Sequence, residues 1–352
     1  MTDKKKILIC FNEPASIYDN YLGKDVNSGT DKVDLSEKDF LNQISFLKTI
    51  LRKKYSKVET LAFNKNIFLM IDSIRSFNPD LIFNFVESVE GISNYESHVA
   101  GIFDLLGFNY TGNNSITLSN CLLKSRTKQI LSSHQINTPM FTIAPLNEIP
   151  TRKNFRLKFP VISKLIKEDA SIGISEFSVS LNYDALKLRL KYLFKNFRQD
   201  VIIEEYIEGR ELNVAILGGK LLPISEIRFD GLPDGLPKIV TYEAKWAPDS
   251  IYYNYTVPKV PAKITKSLKE KVYSLAFSSY EALNCRDYAR VDIRISKHNE
   301  PYVIEVNPNP DISPDSGFAR SASAAGISYD KLIYTISTFG LMRKPYDTAF
   351  IN

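Results

Sequence analysis

The sequence predicts an α/β domain followed by two α+β lobes, and three features of its 352 residues lead to that prediction. Apolar, strand-like runs alternate with helical segments over the first third of the chain. This alternation stops near Ile116, and from about Glu211 short strands follow one another across tight turns. Such changes separate layered units that have their own cores. We place the three units at residues 1–117, 118–207 and 208–352.

The first unit is predicted to be an open, mainly parallel sheet of the Rossmann-like kind, because strands and helices alternate along it. Apolar residues recur at helical spacing up to Lys54, and Gly107 ends a second helical segment. The predicted strands are Lys6–Phe11, Val58–Phe63 and Leu81–Val86, and the predicted helices are Ser36–Lys54 and Tyr95–Leu106.

The second and third units have more irregular patterns. Asn182 is a candidate N-cap for a helix with a leucine stripe, and Gly218-Gly219 is typical of a hairpin turn. The predicted elements are a helix at Leu118–His134, a linker at Ile136–Phe141, strands at Phe159–Leu165, Phe177–Leu181 and Val201–Ile207, and a hairpin of Glu211–Leu217 with Lys220–Arg228.

Composition excludes several classes of protein. The 44% hydrophobic and 24% charged content is typical of a soluble chain, and no apolar run is long enough to cross a bilayer. The net charge of +5 is spread along the chain, whereas nucleic-acid binding needs clustered Lys and Arg. Three distant cysteines and a start without a secretory signal favour a reducing compartment. We therefore expect a cytoplasmic protein that binds neither nucleic acid nor membrane.

Charged side chains are concentrated in a predicted hairpin near the C-terminus, where Ala289–Ile295 and Tyr302–Asn307 both alternate between polar and apolar residues. The next residues, Pro308-Asn309-Pro310, cannot continue a central strand because each proline lacks an N–H. With a four-residue loop, the opposed pairs are Asp292 with Glu305 and Arg290 with Asn307, and the residues on one face of the second strand are Val303, Glu305 and Asn307.

The opposed carboxylates of Asp292 and Glu305 repel each other, by about 1 kcal/mol in water and several times more in a half-buried site. In one interpretation, Arg290 and Arg294 offset this repulsion in a plain solvated sheet. In the other, a divalent cation binds both carboxylates and the Asn307 amide oxygen, since Mg²⁺ prefers such hard oxygen ligands. The strand ends at these residues and opens a place for substrate, which favours the metal.

Several motifs, in their order along nearly the whole chain, resemble the D-alanine–D-alanine ligase-like branch of the ATP-grasp superfamily. Arg290-x-Asp292 followed by Glu305-Val306-Asn307 is similar to the metal-binding end of that fold. The resemblance implies an ATP-grasp fold, with ATP between two lobes. The other similar segments are Phe83–Glu87, Asn109–Gly112, Tyr242–Lys245 and Ala324–Tyr329.

The same resemblance implies how ATP is held. Lysines would contact the phosphates, a loop of small residues would cover them through its backbone N–H groups, and acidic residues would accept from adenine and ribose. The matching residues are Lys124 and Lys164 for the α- and β-phosphates, Lys245 for the γ-phosphate, Ser171 and Gly173 in the loop Asp169–Gly173, Glu204, Glu205, Tyr206 and Ile207 for adenine, and Glu211 for ribose.

The resemblance also implies the reaction. ATP would phosphorylate a carboxylate to an acylphosphate, and an amine would then attack it. Arg290 and Lys245 would be the catalytic residues, and Asp292, Glu305 and Asn307 would bind Mg²⁺, with Mn²⁺ as an alternative and two metal ions expected. The implied substrates are small amino acids or peptides, and the resemblance allows a homodimer.

The chain departs from this branch where a D-alanine ligase holds its amino acids. Phe11–Ser16 replaces the branch's Gly-Gly-x-Ser, Glu87-Ser88 its His-Gly, and a residue within Pro310–Asp315 its acceptor-site glycine. We therefore expect a substrate other than D-alanine, with a positive group near Asp311 and Asp315 unless these two are turn formers. A D-alanine–D-alanine ligase with an altered pocket, an enzyme that only transfers phosphoryl groups and a non-catalytic ATP-binding protein remain alternatives.

Overall fold

The computed structural model describes residues 3–13, 20–21, 24–25, 35–168 and 171–343, with side chains for 3–13, 41–168 and 171–343. Its first strands form a parallel sheet whose order β4–β1–β5 is that of an open α/β domain, as predicted. A helix from Ile67 to Phe77 was not predicted. The elements are β1 (Asp3–Asn12), β2 (Asn20–Tyr21), β3 (Lys24–Asp25), α1 (Leu35–Lys54), β4 (Tyr55–Phe63), α2 (Ile67–Phe77), β5 (Leu81–Phe85), α3 (Tyr95–Leu105) and α4 (Ser115–Leu122).

A second, antiparallel sheet follows, in the order β6–β9–β7–β8. The predicted helix Leu118–His134 is in fact two helices, because Leu123 is extended and the N–H of Lys124 bonds to the Ile166 carbonyl at 3.3 Å. The predicted strand at Phe177–Leu181 is shorter than expected: a 3₁₀ turn at Glu176–Ser178 precedes a strand of two residues, Val179–Ser180. The elements are α5 (Lys124–Ser133), β6 (Phe141–Ala144), β7 (Val161–Leu165), β8 (Val179–Ser180), α6 (Tyr183–Phe197) and β9 (Val201–Glu205).

The third sheet is antiparallel, in the order β13–β12–β10–β14–β15, with β11 beside β10. Its two longest antiparallel pairings, β10 with β14 and β14 with β15, place the predicted acidic hairpin at one side of the sheet. The elements are β10 (Gly209–Leu217), β11 (Lys220–Leu221), β12 (Ser225–Arg228), α7 (Glu243–Trp246), α8 (Ile251–Tyr255), β13 (Val257–Lys259), α9 (Lys266–Ala282), β14 (Tyr288–Ser296), β15 (Pro301–Asn307), α10 (Gly317–Ala324) and α11 (Tyr329–Leu341).

The last two helices pack between the first sheet and their own, and Phe318 lies edge-on against Tyr288 of β14. Phe318 and Ile336 belong to the same buried cluster as Ile7 on β1, and the hydroxyls of Tyr55 and Ser337 are 2.6 Å apart. These two helices therefore join the third sheet to the first. The unit boundaries proposed above stay a prediction. Within the described ranges, no helix has both the length and the apolar character needed to cross a membrane.

Candidate active site

The hairpin β14–β15 has the predicted register, with Asp292 opposite Glu305 and Arg290 opposite Asn307. The prediction that Val303 shares the face of Glu305 is wrong, because a bulge follows Asp292 and pairs Ile293 with Val303. Bulges place two residues against one and shift the alternation of side chains. Val303 is therefore buried in the core, whereas Glu305 lies on the face of Asp292.

Asp292 is 6% exposed and has four polar contacts. Arg290 donates to both of its oxygens, from Nε at 2.7 Å and from Nη2 at 2.8 Å. The amides of Asn213 and Asn307 donate at 2.8 and 3.1 Å. Asn213 was not predicted, since its contact depends on the pairing of β10 with β14. Asp292 is buried, whereas Arg290, Glu305 and Asn307 are half-buried, and the choice between a solvated sheet and a metal site stays a prediction.

Glu305 has a cation of its own. The Lys124 ammonium lies 3.0 Å from its Oε1 and also donates to the Glu168 carbonyl at 2.6 Å. Burial would raise the pKa of Glu305, but Lys124, Lys164 and Lys245 lower it to about 2. The expected repulsion between the two carboxylates is thus offset by Arg290 on one and by lysines on the other. Lys124 pairs directly with this carboxylate, and the charges of Lys164 and Lys245 also act on its pKa.

The donor set of the hairpin fits a divalent cation. Asp292 and Glu305 offer carboxylate oxygens and Asn307 an amide oxygen, which are hard ligands of the kind that Mg²⁺ takes beside phosphate oxygens. Two carboxylates and an amide leave coordination positions for such oxygens. Among the described residues there is no group of three or more His, Cys, Asp and Glu side chains that would form a complete protein cage.

A second buried charge cluster surrounds Glu204 on β9, which is 1% exposed. Its Oε2 lies 3.1 Å from the Lys164 ammonium and 3.5 Å from that of Lys128, which also donates to Thr138 at 2.7 Å. Burial raises the pKa of Glu204, but the two lysines outweigh it and the pKa is lowered. Lys128 was missed in the sequence, although it lies one helical turn after Lys124.

The second oxygen of Glu204, Oε1, is buried without a hydrogen-bond partner among the described residues. An unpaired buried acceptor is costly, and its presence indicates a site for an N–H or O–H donor. The amino group of an adenine ring has the required chemistry. The residues present therefore fit an adenine nucleotide at this position.

The segment after Glu204 is tied to the two lobes by internal contacts. Glu205 Oε1 accepts from the N–H of Lys158 at 3.0 Å. Arg294 donates to the Ile207 carbonyl at 2.7 Å, to Glu211 Oε2 at 2.9 Å and to the Tyr206 hydroxyl at 3.2 Å. Arg294 thus fixes three of the residues predicted to surround the nucleotide. This role could not be predicted, because the contacts span more than 80 positions of the chain.

The predicted phosphate loop is described from Ser171 onward, and Asp169 and Ala170 lie outside the described residues. Ser171 and Gly173 have φ angles of 62° and 73°, and the Ile174 N–H donates to the Ser171 carbonyl at 2.9 Å. The Ile174 carbonyl accepts from the N–H of Tyr242 at 3.0 Å, immediately before the helix that carries Lys245. The loop and the lysine helix are therefore in direct backbone contact.

The predicted amino-acid end of the site, at Asp311 and Asp315, forms short-range hydrogen bonds with residues close by in the chain. Both oxygens of Asp311 accept from Ser313, from its N–H at 2.8 Å and its hydroxyl at 2.9 Å. The Asp315 carbonyl accepts from Arg320, and both acids are exposed. These contacts support the interpretation of Asp311 as a turn former. Residues 14–16 of the expected N-terminal motif lie outside the described residues.

The three larger sheets and the carboxylate–lysine site between them define the chain as an ATP-grasp protein. A family model described as D-ala D-ala ligase C-terminus matches residues 134–338, more than half of the chain. The chain belongs to this family of D-alanine–D-alanine ligase-like proteins.

Several proteins of known name are similar to the chain. D-alanine–D-alanine ligase A of Bacillus cereus is 34% identical over 67% of this chain and 73% of its own length. D-alanine–D-alanine ligase B of Clostridium perfringens is 29% identical over 81% and 94%. The uncharacterized protein y4sG of Sinorhizobium fredii is 31% identical over 72% of each chain.

A solved structure has the same fold. It is D-alanine–D-alanine ligase from Bacillus anthracis complexed with ATP, with a TM-score of 0.72 and 24% identity, over 96% of this chain and 97% of that one. The likeness confirms the predicted ATP-grasp fold.

Proposed function

We propose that the protein is an ATP- and Mg²⁺-dependent carboxylate–amine ligase whose substrates are not D-alanine. One observation carries this proposal: the Lys124–Glu305 pair, at 3.0 Å, lies next to the Arg290–Asp292 pair, because Asp292 is opposite Glu305 on the hairpin. In a family of ATP-grasp ligases, cations gathered at two carboxylates suit a triphosphate and its metal.

The nucleotide is assigned to the cleft between the second and third sheets. Lys124 and Lys164 bind the α- and β-phosphates, and Lys245 binds the γ-phosphate. The backbone of Ser171 and Gly173 covers them. The unpaired Oε1 of Glu204 accepts from the adenine amino group, next to Glu205, Tyr206 and Ile207, and Glu211 accepts from ribose. These are the assignments that the resemblance implied, and the contacts above support them.

Asp292, Glu305 and Asn307 would hold Mg²⁺ or Mn²⁺, as two ions, and such ions neutralise phosphate charge. The substrate carboxylate attacks the γ-phosphorus, the bond to the β-phosphate oxygen breaks, and ADP leaves. An amine then attacks the acylphosphate carbonyl and loses a proton, and phosphate departs as the amide forms. Arg290, held by Asp292, offers its remaining N–H to the oxyanion of this second step.

The amino-acid end supports a substrate other than D-alanine. The glycine that the branch carries there is replaced in Pro310–Asp315, and Asp311 closes its own turn with Ser313. Glu87-Ser88 replaces a His-Gly pair, and the Glu87 N–H is bound by the Asn12 side chain at 2.9 Å. The replaced motif residues, rather than the charge of Asp311, support the proposal, because Asp311 is already used in its own turn.

A second candidate is a D-alanine–D-alanine ligase with an altered pocket. It is favoured by the relatives that carry this name at 29–34% identity. The two candidates share the nucleotide site and differ only in the substrate pair.

Both candidates are tested by one assay. The purified chain is supplied with Mg-ATP and pairs of amino acids, dipeptides and polyamines, with phosphate release and product masses as readouts. We expect phosphate release with at least one pair that excludes D-alanine. D-Ala-D-Ala formed more efficiently than every other product would select the second candidate, and release without an amide product would indicate phosphoryl transfer alone.

A further inference from the structure

One arginine lies behind the phosphate loop, in a place where an apolar residue is expected. Arg189 is 5% exposed and belongs to the same buried face of α6 as Leu186, Leu190 and Leu193. No carboxylate of the described residues forms an ion pair with it. Burial lowers the pKa of its guanidinium to about 10. A buried charge without a counter-ion destabilises a fold, so its contacts need an explanation.

The guanidinium lies over the Tyr192 ring of its own helix, 5.2 Å from the centroid, and its hydrogen bonds all lead to the loop. Arg189 Nη2 donates to the Gly173 carbonyl and, at 2.8 Å, to the Ser178 hydroxyl. The same hydroxyl accepts from the Ser175 N–H at 3.0 Å. Arg189 therefore joins the two ends of residues 173–178, while its Nε has no partner among the described residues.

The loop that Arg189 binds has backbone angles that are unfavourable for most residues. Gly173 has φ 73°, and a Cβ there would lie 2.9 Å from Leu165 Cδ1. The positive φ at Ser171 has no glycine to accommodate it. The charge-assisted hydrogen bond from Arg189 to the Gly173 carbonyl stabilises this turn.

Arg189 is also connected to α7, the helix that carries Lys245, through the residue that follows Gly173. Ile174 follows Gly173, and its carbonyl accepts from Tyr242 N at 3.0 Å. The Tyr242 carbonyl in turn accepts from the N–H of Lys245 at 3.1 Å. The position of Lys245 therefore depends on the conformation of the loop.

We propose that Arg189 is a positioning residue for the triphosphate: it fixes residues 171–178 so that their N–H groups and Lys245 face the phosphates together. Its buried positive charge, without a described counter-ion, additionally favours an anion on the other side of the loop. This inference rests on the proposed function, because it takes the ligand to be a nucleoside triphosphate.

The test compares Arg189→Met, which keeps length and removes charge, with Arg189→Lys and the control Lys187→Met. Lys187 is an exposed cation two residues away on the same helix. Mg-ATP affinity is measured by calorimetry, stability by thermal melts, and backbone exposure by hydrogen exchange over 171–178 and 242–246.

We expect Arg189→Met to bind Mg-ATP about tenfold or more weakly, the loss that a charge-assisted hydrogen bond gives, with an unchanged or higher Tm. Hydrogen exchange should rise at 242–246, which Arg189 does not touch, and Arg189→Lys should be intermediate. Wild-type affinity in Arg189→Met, or an equal loss in Lys187→Met, would overturn the proposal.

Two further outcomes keep the test decisive. If Arg189→Met fails to fold, Ser178→Ala removes the hydroxyl that accepts from both Arg189 and the Ser175 N–H, and it should weaken Mg-ATP binding in the same direction; no change would overturn the proposal. If the wild-type protein binds no Mg-ATP, the proposed function fails. In that case, hydrogen exchange at 242–246 is measured without nucleotide. It should be faster in Arg189→Met than in wild type if Arg189 controls the position of Lys245.

Discussion

The nucleotide end and the amino-acid end of the site are built from similar residue types but in different ways. At the nucleotide end, charged side chains bind partners on other elements: Lys124 on α5 pairs with Glu305 on β15, and Lys164 on β7 pairs with Glu204 on the neighbouring β9. At the amino-acid end, Asp311 bonds to a serine two residues away and stays exposed. A substitution at Lys124 or Glu305 disturbs two lobes at once, whereas one at Asp311 changes a local turn. Substrate choice can therefore change while the nucleotide machinery is kept.

The largest effect is expected for Glu305→Gln. The loss of a proposed metal ligand should lower turnover by roughly 10²–10³-fold, since a metal contributes several kcal/mol to transition-state charge stabilisation. The metal-free protein should also lose about 1–3 kcal/mol of unfolding free energy, because Lys124 loses its charged acceptor.

Phosphate release and urea unfolding in the presence of a chelator measure these effects. Glu300→Gln is the matched control, since Glu300 lies on the turn of the same hairpin and pairs with Lys271 at the surface. Full activity in Glu305→Gln would remove the metal assignment.

Glu204→Gln should have the next largest effect on activity. It leaves Lys128 and Lys164 without their carboxylate, and breaking a buried pair costs about 3–5 kcal/mol of stability. It also changes the acceptor at Oε1, so the KM for ATP should rise about tenfold. Glu205→Gln keeps an acceptor for the Lys158 N–H and should change both quantities little. Equal effects of the two substitutions would contradict an adenine contact at Glu204.

Lys128 predicts a pH dependence of stability. Burial lowers its pKa from 10.5 to about 8 in the folded protein. The unfolded chain then binds more protons than the folded chain between pH 8 and 10.5, so this residue makes stability rise with pH in that window. Wild type should gain unfolding free energy relative to Lys128→Met from pH 8 to 10. If the difference in unfolding free energy between wild type and Lys128→Met stays constant with pH, the pKa of Lys128 is not lowered in the folded protein.

The sequence predicted the parts of the site that depend on local pattern. The hairpin register follows from two alternating strands and a short turn, and it is confirmed at Asp292 and Glu305. The bulge that turns Val303 inward was not predictable from alternation, because it depends on core packing against Ile293. Lys128 and Asn213 were missed for a similar reason, since each acts through a partner on another element. Arg294 was expected to offset the hairpin carboxylates but pairs with Glu211.

The smallest effect is expected for Asp311→Asn. Asparagine keeps an oxygen for the Ser313 N–H and removes the charge, so a turn former should keep kcat/KM within about twofold. Asp311→Ala removes the acceptor as well and should cost about 1 kcal/mol of stability, as the loss of a hydrogen bond does. Steady-state phosphate release with the best substrate pair, together with thermal melts, separates the two variants. A large fall in kcat/KM for Asp311→Asn, restricted to substrates that carry a positive group, would show instead that the carboxylate binds that group. The two ends of the site would then both depend on paired charges, and the contrast between them would no longer hold.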